Sequence, residues 1–185
     1  MLARDVMKTI IVLLSLCLLW SPGFSQSNES TQLAEMRKLS FLVGQWQGTG
    51  DFEFAPGQRR TFTETEDVEM KLGGLVLIFE GTGQSKDANG EAITVHSALA
   101  LARFDDQSHT FRWQAYRADR GSLSTVESEA KVGSQTLEWG YQDNRAGQVR
   151  FTIKLDETGA WSETGESSSD GQNWRTFMEM TLKRR

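Results

Sequence analysis

The sequence predicts an all-β protein, a ten-stranded antiparallel up-and-down β-barrel with a short N-terminal helix. Three observations lead there. From residue 44 onward the chain is a series of segments, roughly 8–12 residues each, in which apolar and polar residues alternate. Between them stand residues that tolerate a positive φ or close a turn through a local side chain: Gly73-Gly74, Asn89-Gly90, Asp105-Asp106, Asp119-Arg120-Gly121, Gly133, Asn144, Thr158-Gly159 and Asp170-Gly171. Only two prolines, Pro22 and Pro56, occur in 185 residues, so little interrupts the strands. A meander of hairpins in one domain either closes or exposes long edges, and closure removes the edges.

The elements follow in chain order. Arg4 and Lys8 give a positive start, Ile10 to Trp20 is an apolar run, and Ser21-Pro22-Gly23 breaks it. With small residues at Gly23 and Ser25, residues 1–25 read as a signal peptide cleaved after Ser25. The apolar run falls short of the roughly 20 residues a spanning helix needs, so no stable membrane anchor is expected after cleavage. Cys17 lacks the small residue before it and the polar stretch after it that a lipid-anchor site wants. It is the only cysteine and leaves with the signal. The mature chain then has no disulfide and no thiolate, and is expected in the periplasm or secreted.

Residues 26–30 are a polar, flexible leader, and 31–185 form one barrel domain. Thr31 can cap a helix over 31–39, with Leu33, Met36 and Leu39 on one face. Ten strands are expected at approximately 44–54, 60–71, 75–83, 92–104, 109–118, 121–131, 134–142, 147–155, 159–168 and 173–184. In the first, Trp46, Gly48, Gly50, Phe52 and Phe54 share a face opposite Gln45, Gln47, Thr49, Asp51 and Glu53. In the last, Trp174, Thr176, Met178, Met180 and Leu182 share one. The fourth strand is apolar on both faces, Leu99 and Leu101 against Ala98, Ala100 and Ala102, so something should cover its outside. The 31–39 helix is one candidate and a second copy of the chain, in a homodimer, is another.

Net charge is −5 for the whole chain, and the signal carries Arg4, Lys8 and Asp5, so the mature protein is one unit more acidic. Nucleic acid and anionic membranes need clustered positive charge and are not expected partners. No Gly-x-Ser-x-Gly elbow, phosphate loop or dinucleotide fingerprint occurs. With two separated histidines and no remaining cysteine, no metal constellation is legible, and no cofactor is expected.

The opening Phe41-Leu42-Val43-Gly44-Gln45-Trp46 resembles the Gly-x-Trp start of the calycin superfamily, which includes lipocalins, fatty-acid-binding proteins and nitrobindins. The resemblance implies a helix before the first strand and a Trp plugging the closed end, with an Arg of the final strand across it. Trp46 and Arg184 occupy those positions. The closing segment, from Trp161 to Leu182, is most similar to exported bacterial lipocalin-like proteins of unknown function. Nitrobindin-like members hold haem through a histidine near the chain end. Here His96 and His109 both lie earlier, and a haem held that way is not expected.

The candidate ligand-binding residues are Trp113, Trp139, His96, Phe79 and Phe111, because aromatics in such a barrel either fill the core or line a cavity. No catalytic residue is assigned, and whether the chain is an enzyme stays open. Glu64, Glu66, Glu69, Glu163, Glu166 and Glu179 crowd the second strand and the last two. Alternation would set them on the solvent face opposite Arg or Lys; buried, they could do acid–base work. The leading expectation is an exported module holding a small apolar or amphipathic molecule inside the barrel. Beside it stand an isomerase or hydrolase using buried carboxylates or His96, and an interaction barrel with a filled interior.

Overall fold

The computed structural model describes residues 30–119 and 121–185. The expected signal peptide and most of the leader lie outside these residues. Ten antiparallel strands close into one barrel, each paired with its sequence neighbours and β1 with β10. They are β1 Gly44–Ala55, β2 Gln58–Lys71, β3 Val76–Lys86, β4 Ala92–Asp105, β5 Thr110–Asp119, β6 Ser122–Gly133, β7 Thr136–Asp143, β8 Gly147–Leu155, β9 Trp161–Ser168 and β10 Arg175–Arg184. The expected strands all form, with ends shifted by at most three residues.

Helix α1, Thr31–Met36, continues as a 3-10 helix, Arg37–Leu42. Its cap is Ser30, whose hydroxyl accepts from the Leu33 amide, rather than the expected Thr31. Met36, Leu39 and Leu42 are fully buried in one core cluster with Trp46, Val68, Leu77, Leu137 and Leu182. These residues belong to the starts of β1, β3 and β7 and the ends of β2 and β10. The helical segment therefore plugs one end of the barrel and does not cover the outside of β4. Leu99 and Leu101 remain half-buried on that outer face.

Trp46 and Arg184 are register partners and lock the plug in place. The Trp46 indole N–H donates to the Leu42 carbonyl at 2.8 Å, and the Arg184 guanidinium sits 4.2 Å from the ring centroid. The same guanidinium donates to the carbonyls of Phe41 and Val43, so one side chain ties the last strand to the segment before the first. Trp161 packs edge-on against Trp46 at 5.3 Å.

Two irregularities shape the opposite, open half. A bulge between Thr176 and Met178 breaks the inside–outside alternation of β10. Trp174 and Met180, expected on one face, end on opposite faces. Trp174 lies outside beneath the Arg150 guanidinium at 4.0 Å, and Phe177 enters the interior. The second irregularity is the β6–β7 ladder, which pairs only residues 130–133 with 136–139. Beyond Ala130 and Trp139 the two strands part, leaving a seam in the wall near the mouth.

Candidate functional site

Above the plugged end the barrel encloses a cavity of about 530 Å³ that opens at the end carrying the β1–β2 and β5–β6 turns. Its wall is largely aromatic. Trp139 stacks on Trp113 at 4.9 Å and on Phe151 at 4.5 Å, and Phe79 meets Trp113 edge-on at 5.0 Å. Cross-strand placement produces this stack: Trp139 is the register partner of Phe151, and Trp113 reaches it from β5.

Against that apolar wall stand Glu64, Glu66, Glu163 and His96. Phe62, Glu64, Glu66, Val68 and Met70 alternate on the inner face of β2, so two carboxyls occupy core positions. Glu163 follows Trp161 by two residues on β9 and points inward with it. Glu64 is 1% exposed and Glu163 8%. Their burial corrects the expectation of a solvent face; Glu69 and Glu179 do lie exposed, and Glu166 pairs outside with Arg150 at 2.7 Å. A bulge between β3 and β4 sets His96 opposite Gly83, and both Val95 and His96 face the cavity.

Glycine makes room for the carboxyls. Glu64 lies opposite Gly83 and Glu66 opposite Gly81. A Cβ at Gly83 would stand 2.5 Å from Glu64 Oε2, and one at Gly81 2.5 Å from Glu66 Oε1. Both side chains thus fold onto bare backbone of β3. One donor atom each of Glu64, Glu66 and His96 lies within 4.8 Å of the others, close enough for one cation to bridge them. Spacing along the chain does not reveal this grouping, because its members come from β2 and β4 and meet only through the ladder with β3.

Electrostatics follow from burial. Loss of water raises the Glu64 pKa to about 8, with the Glu163 charge adding to it. Glu163 rises to about 7 for the same first reason, partly opposed by the Trp161 indole N–H that donates to it at 3.3 Å. Glu66 lies well above the usual carboxylate range through burial and then the charges of Glu163 and Glu64. Burial, then Arg117, lowers His96 to about 4, so its imidazole is neutral near pH 7. Among the described residues no Lys or Arg forms an ion pair with Glu64, Glu66 or Glu163. Glu64 Oε1 and the Trp113 indole N–H are buried without hydrogen-bond partners.

A family model described as a protein of unknown function, DUF1579, matches residues 31–184, the whole barrel with its plug. The chain belongs to the DUF1579 family. No curated protein matches it. Among solved structures, Rv2717c from M. tuberculosis is similar, with a TM-score of 0.56 and 15% identity over 81% of this chain and 96% of that one. At that identity the likeness concerns the fold alone.

Of the residues singled out in the sequence, Trp113, Trp139, Phe79 and His96 line the cavity of this DUF1579 barrel. Phe111 does not: it packs against Phe104 at 5.2 Å near the plugged end. Trp46 and Arg184 close that end. Glu64, Glu66 and Glu163, weighed in the sequence but expected on the solvent face, join the cavity as well. Their signal was shared parity with Phe62 and Val68 on β2 and with Trp161 on β9.

Proposed function

We propose that this DUF1579 protein is an exported binding module that holds a small apolar or amphipathic molecule inside its barrel. One observation carries the reading: a cavity of about 530 Å³, open at one end, with an aromatic wall and a few convergent polar groups. That combination of size, apolar lining and sparse polarity is what small-molecule sites have in common. The calycin-like opening of the sequence supports the same use, and residues 1–25 support delivery to the periplasm or outside the cell. The half-buried leucines outside β4 are where a second copy would sit in a homodimer.

Native mass spectrometry of protein purified without denaturation tests the binding reading. A reproducible added mass, lost on denaturation, is the expected result. A clean apo mass, together with failure to bind an apolar fluorescent probe displaceable by alkyl ligands, would refute it. N-terminal sequencing of protein from the periplasmic or culture fraction tests export, with a start just after Ser25 expected.

A second reading draws on the buried carboxyls. Glu64 holds its proton near pH 7 while Glu163 titrates there, and two such groups in one apolar cavity can serve as acid and base in a proton-transfer reaction. Conversion of a cavity-sized carbonyl substrate, lost in both Glu64→Gln and Glu163→Gln, would favour an enzyme over a carrier.

A further inference from the structure

We propose that the carboxyl cluster receives a positively charged head, so that the molecule filling the barrel is an amphipathic organic amine. Its ammonium group would lie against Glu64 and Glu66, and its apolar body along the wall of Trp113, Trp139 and Phe151. This rests on the binding reading above and adds the chemistry of the ligand's polar end.

The charges facing the cavity favour a cation. Glu64 and Glu66 come from β2, Glu163 from β9, His96 from β4 and Glu53, ion-paired with Arg175, from β1, while the other lining residues of β1, β3 and β10, such as Phe52, Gly81 and Met180, carry no charge. Among the described lining residues Arg117 on β5 is the one Lys or Arg; it pairs in register with Ser124 on β6, and its charge is felt at His96. A buried carboxyl is retained where something satisfies it. Glu64 lines the cavity and its Oε1 is buried without a hydrogen-bond partner, so a donor brought in by a guest would satisfy a carboxyl that the protein leaves unpaired.

The glycine cradle fixes the acceptors in advance. With Glu64 and Glu66 folded onto the bare backbone of Gly83 and Gly81, their oxygens are held before any guest arrives, which lowers the ordering cost of binding. The aromatic wall points the same way, since ring faces carry negative potential and attract cations. A fatty carboxylate would instead meet Glu64, Glu66 and Glu163, none of which is ion-paired with a Lys or Arg among the described residues. An ammonium entering the cluster displaces protons from the carboxyls and leaves ion pairs in a water-poor site.

The test compares three ligands of one chain length, octylammonium, octanol and octanoate, by isothermal titration calorimetry at pH 8. It uses the native protein and the Glu64→Gln/Glu66→Gln variant, checked by circular dichroism. Octylammonium is expected to bind at least about tenfold more tightly than octanol or octanoate, the scale of one desolvated charge interaction. The variant should lose that preference and keep its affinity for octanol. If the double variant fails to fold, Glu66→Gln alone, at a less buried site, carries the comparison. Octanoate binding as tightly as octylammonium, or a preference that survives the substitutions, overturns the assignment. Octanol binding as well as octylammonium overturns the cationic head and leaves the barrel a carrier. Binding of none of the three overturns both.

Discussion

Replacing Glu64 by glutamine should make the protein more stable at alkaline pH and change little at pH 5. In the folded state the Glu64 carboxyl keeps its proton up to a pKa of about 8, against an ordinary value of 4.5. Between those values the folded chain binds more protons than the unfolded one, so stability falls as pH rises through 4.5 and the loss is complete above 8. At about 1.4 kcal/mol per pH unit, the gap sets a ceiling on the order of 5 kcal/mol. Water entering through the mouth, and sharing of the proton with Glu163, reduce the expected gain to roughly 2–4 kcal/mol. Glutamine has nearly the same shape and no charge, so it removes the titration while keeping the packing. Urea unfolding of both proteins at pH 5, 7 and 9 measures the difference. The expected pattern is near-equality at pH 5, within about 1 kcal/mol, and a growing advantage for Glu64→Gln toward pH 9. A variant less stable by the same amount at every pH would show that the carboxylate is paired or hydrated, and the reasoning would fail.

Four further outcomes can be checked. The His96 imidazole, held at about 4 by burial and Arg117, should stay neutral in NMR titrations until well below pH 5. Because the unfolded chain takes up that proton first, His96 should cost stability as pH falls from 6.5 toward 4, and His96→Gln should remove that share. Arg184→Ala removes two hydrogen bonds to backbone carbonyls and the contact with Trp46, a loss of about 1–3 kcal/mol by urea unfolding. Arg184→Lys should recover little of it, because an ammonium cannot span both carbonyls. Gly83→Ala drives a methyl into Glu64 Oε2 and to 2.9 Å from the His96 Cβ, and should cost about 1–3 kcal/mol. Hydrogen exchange should be faster for β6 amides that face β7 between residues 122 and 128 than for β2, which is paired along both edges. Equal protection would mean the seam is closed in solution.

Much of the fold was legible along the chain. Period-two alternation and the turn residues placed ten strands because both are local properties, set by which way consecutive side chains point and which residues tolerate a tight reversal. The pairing of Trp46 with Arg184 came from the resemblance to the Gly-x-Trp opening, not from the strand pattern. The cavity residues were harder. Trp113, Trp139, Phe79 and His96 were named as candidates, yet Phe111 belongs to the packed end, and parity alone cannot give depth along a barrel. Glu64 and Glu66 share the inward parity of Phe62 and Val68, yet they were expected on a solvent face opposite Arg or Lys, since a lone carboxyl is costly to bury. That cost is what makes them notable.

By itself, the sequence determined the strand count, the short helix ahead of them and the acidic, cysteine-poor character of the chain. Each of these depends on residues near one another in sequence or on totals that no folding can change. Only the tertiary structure decided that the helix plugs the end of the barrel rather than covering β4. It also decided that bulges turn Phe177 and His96 inward, that β6 and β7 part near the mouth, and that three glutamates meet in one cavity. Those features depend on register between strands far apart in the chain. A one-residue bulge reverses which face a side chain joins, and alternation within a single strand cannot foretell it.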